Sequence, residues 1–504
     1  MNILFISPGA ASEVYQDLSK SQSAIEPPTW ALLLAESCRA IGITCDLLDV
    51  NASRIDNQEA ARIVYEADPD LICFVVYGQN VNAGTTQMTG AVRLANTMRR
   101  QWGIKIPIAF IGSYVQALPK KALQDESSID FVFTNEGVYA LREYFCRNGS
   151  LKHLKDIRGI AWRDGENIVI NQPSELVPSE ALAMDLPGYA WDLLPSWKRY
   201  RASLWHSGFN ESNRSPYAAI YTSLGCIYGC GFCMINVLNR NNTDEIGISS
   251  DYRRMRFWPP DFVVDQIRKL AEQGVTTIRI TDEMFLLKRS HYLAICEGIK
   301  SLGLGDKLNM WAYSRVDTVA NPETLKLLRG AGFRGLCLGI ESADRKVRLE
   351  IDKGRFREVD VKRVIEQIHD AGIEVLANYI FGLPGDTMAT MQRTLDLSLE
   401  LCTSGWNAYA AMALPGSRLY ADAIKHDIKV PEAYSGYSFH SYDCLPLPTE
   451  ELTPGQILKF RDDAFHQYHS NPAFLARIER IYGSEAVKKV QEMNSVRLKR
   501  AICV

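Results

Sequence analysis

Cys226-Ile-Tyr-Gly-Cys230-Gly-Phe-Cys233 decides how this chain is read. Its three cysteines, at C-x3-C-x2-C spacing, follow a short strand-like stretch at residues 217–222. Thiolates are soft ligands, and three this close in sequence can wrap one face of an iron–sulfur cluster. Three ligands for four irons leave one iron open, a place to bind and activate a small molecule. A zinc knuckle needs a fourth ligand at finger-like spacing, whereas His291 and Cys296, the next His and Cys, lie about 60 residues on. Three buried structural cysteines also fit poorly, because Gly225, Gly229 and Gly231 make the segment a flexible wrapping loop.

On both sides of this loop the chain alternates short apolar strands with amphipathic stretches. Strands are expected at residues 2–7, 45–50, 71–77, 107–111 and 130–133, with helical stretches at 30–41, 57–67, 84–102, 120–124 and 138–146. That rhythm predicts a doubly wound, flavodoxin-like parallel sheet over residues 1–150, with ligands at the carboxyl ends of its strands. The loops there include Tyr77-Gly-Gln79-Asn80 and Gly112-Ser-Tyr114. Residues 151–215 read as an ordered connector with a short β-like piece at 159–171, because Trp191, Leu193, Trp197 and Trp205 need somewhere to pack. A second βα series occupies residues 216–430, with strands expected at 217–222, 276–281, 308–314, 335–340, 374–380 and 406–412. Six such units predict a partial (β/α)6 barrel with its chemistry at the strand C-termini, where the cysteine loop stands. Residues 431–504 read as a helical tail, with Arg497-Leu-Lys-Arg500 as a solvated helix end.

At 504 residues the chain is too long for one core, and 46% hydrophobic with 23% charged residues is globular composition. A net charge of −3 leaves no electrostatic footprint for nucleic acid. No apolar run reaches a membrane span and no signal peptide is read, so the expected location is the cytoplasm. Twelve cysteines are sparse in a chain this long, and Cys73 and Cys337 sit in apolar runs as small core residues.

With these elements placed, the chain resembles the radical S-adenosylmethionine (radical SAM) enzymes. More narrowly, it resembles the group with an N-terminal cobalamin-binding-type domain, over roughly residues 1–420. The resemblance implies a 4Fe–4S cluster on Cys226, Cys230 and Cys233, with S-adenosylmethionine (SAM) chelating the open iron and cleaving reductively to a 5′-deoxyadenosyl radical. Thr281-Asp-Glu-Met-Phe285 resembles the family's acidic turn near the methionine end of SAM, which makes Asp282 and Glu283 candidates. An acid there accepts hydrogen bonds from the SAM amino group, and an acid complementing a helix dipole explains it equally well. Ser314-Arg315 can clamp the SAM carboxylate, against a solvent-facing arginine. Gly339-Ile-Glu341-Ser342 matches the ribose-contacting segment, where a carboxylate accepts from two hydroxyls. Asn378-Tyr-Ile-Phe-Gly382-Leu-Pro-Gly385 resembles the stretch backing the adenine and brings in Tyr379 and Gly382.

For the first domain the resemblance implies cobalamin at the strand-end loops, with Gln79 and Gly112 as candidate contacts. No histidine precedes His153, so a lower histidine ligand from this domain is excluded and bound cobalamin should be base-off. Gly112-Ser-Tyr and Asn135-Glu136-Gly137 stand where relatives often carry Gly-Gly and Gly-Glu-Gly. Bulk at Gly112 is expected to block cobalamin uptake while leaving the iron in place. The implied activity is a cobalamin-dependent methyltransferase acting on an unactivated carbon, or a phosphinate phosphorus, of a small molecule. The alternative is a non-methylating dehydratase, epimerase or oxidative cyclase of the same layout. Either implies an electron donor such as flavodoxin or ferredoxin.

Overall fold

The computed structural model describes residues 1–78, 80–319, 321–352 and 359–502. The first sheet runs through β1 (Asn2–Ser7), β2 (Thr44–Asp49), β3 (Leu71–Val75), β4 (Ile108–Ile111), β5 (Phe131–Phe133), β6 (Ile160–Asp164) and β7 (Asn167–Ile170). Its spatial order is β2-β1-β3-β4-β5-β6-β7, parallel as far as β5 and antiparallel from there on. Every residue of β3 is buried, as a parallel strand covered on both faces requires. Chain direction from β1 splits to β2 on one side and β3 on the other, and that switch point opens a crevice at the strand ends.

The sheet therefore does not stop at residue 150. The β-like piece assigned to the connector is β6–β7, and β6 pairs with β5 through Phe131↔Trp162. β5 is only three residues long and would otherwise be a bare edge, which the hairpin covers. The rest of the connector is irregular but packed, with Tyr189 stacked on Trp191 at 4.8 Å and Trp191 tilted on Trp197 at 5.2 Å.

The second sheet is built from β8 (Tyr217–Ile220), β11 (Thr277–Ile280), β12 (Asn309–Arg315), β13 (Phe333–Glu341), β14 (Glu374–Phe381) and β15 (Gly405–Ala410). All six strands are parallel, in the order β15-β14-β13-β12-β11-β8, and β8 and β15 stay unpaired with each other, so this is a half-barrel. One local difference matters for the site. The first barrel strand ends at Ile220, and a separate β9 (Ser223–Cys226) pairs antiparallel with β10 (Arg254–Phe257), delivering Cys226 as the last residue of a ribbon.

The helices Pro454–His469, Pro472–Tyr482 and Ser484–Ser495 form the tail. Tyr468 of the first stacks on Trp406 of β15 at 5.2 Å, which seals that edge of the half-barrel. The basic stretch lies beyond the last helix, with Arg497 and Lys499 exposed as expected but Arg500 not. Arg500 lies beyond the last helix, buried, with Nε donating to Asp462 at 2.8 Å and Nη1 to the Ser441 carbonyl at 2.8 Å. A guanidinium fork satisfied by a carboxylate and backbone carbonyls can be buried where a lysine could not.

Candidate active site

The cysteine loop begins where the β9–β10 ribbon ends. Cys226 is buried, while Cys230 and Cys233 are half-buried. Asn236 ties the loop to itself: its Oδ1 accepts from Cys226 N at 3.0 Å and its Nδ2 donates to the Tyr228 carbonyl at 3.1 Å. Two N–H groups point at sulfur, Tyr228 N at Cys226 Sγ (3.4 Å) and Asn82 Nδ2 at Cys233 Sγ (3.6 Å). Among the described residues no three His, Cys, Asp or Glu groups converge to hold a single metal ion. Soft thiols that do not close on one ion, with N–H donors aimed at the sulfurs, are a donor set that fits a multi-iron cluster.

The candidates at the barrel strand ends separate into two groups. Arg315 packs on the loop, and Glu341 stands in a left-handed conformation at a strand end. Arg315 is buried, forms a bidentate pair with Asp317 at 2.9 Å through Nε and Nη2, and lays its guanidinium over the Tyr228 ring at 4.2 Å. Burial opposes its charge, yet the pairing with Asp317 holds its pKa above the ordinary value. It is thus a buried brace under the cluster loop and no solvent-facing arginine. Glu341 is buried at the last position of β13 with φ +66°, beside a break in register between Gly339 and Glu341. A left-handed glutamate at a strand end is backbone strain that the fold retains at few places, and such strain clusters at functional sites. Glu283, half-buried, lines the space beside the loop together with Ser223, Leu224 and Gly225.

The other candidates are consumed by the protein itself. Asp282 accepts from Thr222 N (2.7 Å), Thr222 Oγ1 (2.6 Å) and Ser223 Oγ (2.5 Å), which clips the end of β11 to the turn before β9. Burial raises its pKa against those hydrogen bonds. Ser314 Oγ shares a 2.7 Å hydrogen bond with Thr318 Oγ1, and Ser342 Oγ accepts from Asp344 N at 3.1 Å. Tyr379 is fully buried with its ring tilted on Trp406 at 6.1 Å, in the layer between the half-barrel and the tail. Gly382 has φ +78°, and a Cβ there would stand 2.5 Å from the Ile457 side chain, so the position serves the close approach of the tail.

The two candidates of the first domain fare differently again. Gln79 lies outside the described residues. Gly112 follows β4, and a Cβ on it would meet the Val76 carbonyl oxygen at 2.4 Å. It is a glycine because two strand ends converge there, so bulk at Gly112 would disrupt the sheet and not selectively fill a crevice. Glu136 likewise turns away from ligand binding. Its carboxylate is almost wholly buried and pairs with Arg256 of β10 at 2.7 Å, while Val177 N donates to it at 2.5 Å. This loop fastens the first sheet to the ribbon that carries Cys226.

Between the two sheets lies a cleft at the switch point, lined by Ser7, Asn51 and Gly78 from the first domain and by Tyr221 and Thr281 from the second. Trp30 stands on its wall in edge contact with Tyr77 (5.5 Å) and Tyr221 (6.1 Å), an aromatic partition built from both domains. Trp30 Nε1 and Thr281 Oγ1 are buried without a hydrogen-bond partner among the described residues. Buried polar atoms left unpaired on a cleft wall are satisfied by whatever fills it. Sequence reasoning missed both, because a helix-face tryptophan and a strand-end threonine read as core. A crevice at the strand ends with small residues such as Ala10, Ala11 and Gly78 on its rim fits a flat cofactor such as a corrin.

Comparison with known proteins agrees with this division. The description "Radical SAM superfamily" matches residues 220–398 and "B12 binding domain" matches residues 20–145. An uncharacterized methyltransferase of Pyrococcus horikoshii is 23% identical over 506 residues, covering 100% of this chain and 97% of its own. An anaerobic magnesium-protoporphyrin IX monomethyl ester cyclase of Cereibacter sphaeroides is 23% identical over 468 residues, 91% of this chain and 68% of its own. Among solved structures, the radical SAM methyltransferase TsrM of Kitasatospora setae superposes with a TM-score of 0.64 at 16% identity, covering 98% of both chains. The cobalamin-dependent enzyme OxsB gives 0.66 at 13% identity over 98% of this chain and 72% of its own. At those identities the structures establish the shared fold. No helix among the described residues is long and apolar enough to cross a membrane. A radical SAM domain implies a 4Fe–4S cluster and SAM, and a B12-binding domain implies cobalamin. The chain is a radical SAM enzyme in which a B12-binding domain precedes the radical SAM half-barrel.

Proposed function

We propose that the protein is a cobalamin-dependent methyltransferase that acts on an unactivated carbon, or a phosphinate phosphorus, of a small molecule. The observation that carries this reading is a cleft lined by both domains, with Asn51 and Gly78 from the B12 side and Tyr221 and Thr281 from the other. A substrate atom held there would have the residues of both cofactor-binding domains around it. When bound, the cluster supplies the electron that cleaves SAM, and cobalamin carries the methyl group. The chain contributes the holding. Cys226, Cys230 and Cys233 anchor the cluster, Arg315 braces the loop through Tyr228, and Glu341 and Glu283 accept hydrogen bonds from SAM. Trp30, Tyr77 and Tyr221 keep bulk water from the cleft. A flavodoxin- or ferredoxin-type donor and a cytoplasmic location belong to the same reading.

Protein made anaerobically with cobalamin in excess tests it. We expect retained cobalamin with a base-off optical spectrum, since no histidine precedes His153, and 5′-deoxyadenosine when SAM and dithionite are added. Protein that retains no cobalamin yet turns SAM over would hand the assignment to a non-methylating dehydratase, epimerase or cyclase.

A further inference from the structure

One contact joins the B12-binding domain to the cluster loop directly. Asn82 sits in the short turn Val81–Ala83 after β3, and that turn is fixed by Asn80, whose Oδ1 accepts from Ala83 N at 3.0 Å. From there the Asn82 carboxamide makes two bonds across the domain boundary. Its Oδ1 accepts from Met234 N at 2.9 Å, and its Nδ2 donates to Cys233 Sγ at 3.6 Å. The first bond orients the amide, so that the second must present N–H to the sulfur. A side chain used only for packing would need neither. Asparagine is the residue that supplies an acceptor and a donor from one planar group.

We propose that Asn82 is a positioning residue for the cluster, setting its reduction potential through the N–H donated to Cys233. The inference rests on the cluster reading of the three cysteines. A hydrogen bond to a ligating sulfur withdraws electron density and favours the more negative, reduced cluster, so it raises the potential. The consequence is that the B12-binding domain contributes to how easily the cluster accepts the electron used on SAM.

The test is a redox titration of the reduced-cluster paramagnetic resonance signal in full-length, anaerobically reconstituted protein. Asn82→Leu removes donor and acceptor without adding charge. Asn82→Asp keeps the acceptor for Met234 N and removes the donor. Both variants should hold as much iron as the wild type and titrate at a more negative potential, with Asn82→Asp the lower because its carboxylate adds charge. A wild-type potential in both iron-loaded variants would overturn the proposal. A second readout stands on the wild type alone: with ¹⁵N in the asparagine side chains, pulsed resonance of the reduced cluster should show a nitrogen coupling. Absence of that coupling in the wild type overturns the assignment whatever the variants do. Wild-type protein that binds no iron would instead sink the cluster reading, and the Asn82 proposal with it.

Discussion

The two sheets end their strands in opposite ways. On the half-barrel side the strand ends carry side chains with chemistry to offer: Arg315 closing β12, Glu341 closing β13 in a left-handed conformation, and Cys226 closing the adjoining ribbon strand β9. At the first sheet the strand ends carry fasteners. Gly112 lets two strands converge, Glu136 locks onto Arg256, and Asn82 reaches over to the cluster loop. What remains for a ligand there is a crevice of small and aromatic residues that also carries Ser7, Glu26, Asn51 and Gln87. The difference supports the proposed reading, in which one domain would hold its cofactor through ligating and charged groups at strand ends, while the other spends Glu136 and Asn82 on holding the pair together.

Removing the ligands on the barrel side should have the largest effect. Replacing Cys226, Cys230 and Cys233 together by alanine is expected to take reconstituted iron from about four per chain to none. Cys337→Ala, in the buried interior of β13, should leave iron unchanged. Stoichiometric zinc without iron in the native protein would erase the distinction between the two regions.

The fastener on the other side is tested by Glu136→Ala. It strands the Arg256 guanidinium, which is 6% exposed, without its carboxylate. Breaking a buried pair from one side costs about 3–5 kcal/mol, measurable by denaturant unfolding. A loss below about 1 kcal/mol would mean that the loop is free to serve a ligand after all.

These two tests also mark what could be read in advance. The cysteine loop, the strand–helix rhythm and the half-barrel were legible because thiolate spacing and hydrophobic period are written locally. The ribbon was not, since Ser223–Cys226 pairs with a segment about 30 residues later and looks like a continuation of the first barrel strand. Asp282 could not be placed by its neighbours, because its partners Thr222 and Ser223 lie 60 and 59 positions away. Tyr379 alternates with Asn378 along β14, and only the packing of Trp406 and Tyr468 decides which of them faces the tail.

A smaller effect concerns the turn after β14. Asp386 accepts from Gly382 N and Leu383 N at 3.1 Å each, and burial lifts its carboxyl from 3.8 to about 6. Because the folded value lies above the unfolded one, the linked stability is complete below pH ~4 and is lost as pH rises through about 6. The span corresponds to about 3 kcal/mol. Asp386→Asn should flatten the pH dependence of unfolding across that window, and an unaltered slope would rule out this origin.

Smaller still is the change expected at Glu341. Glu341→Gln should weaken SAM binding by about 1–3 kcal/mol if the carboxylate accepts from the ribose hydroxyls. Titration calorimetry with an unchanged affinity would remove Glu341 from the barrel's set of chemical side chains and bring the two sheets closer in character.

The central claim is that both cofactors serve one cleft, and a labelled methyl group tests it most directly. Protein loaded anaerobically with iron, sulfide and cobalamin is given SAM deuterated at its methyl group, then a reductant, and its cobalamin is extracted in the dark for mass spectrometry. The account predicts that the cobalamin gains the deuterated methyl while 5′-deoxyadenosine forms in the same sample. Abundant 5′-deoxyadenosine beside cobalamin that never acquires the label would contradict it.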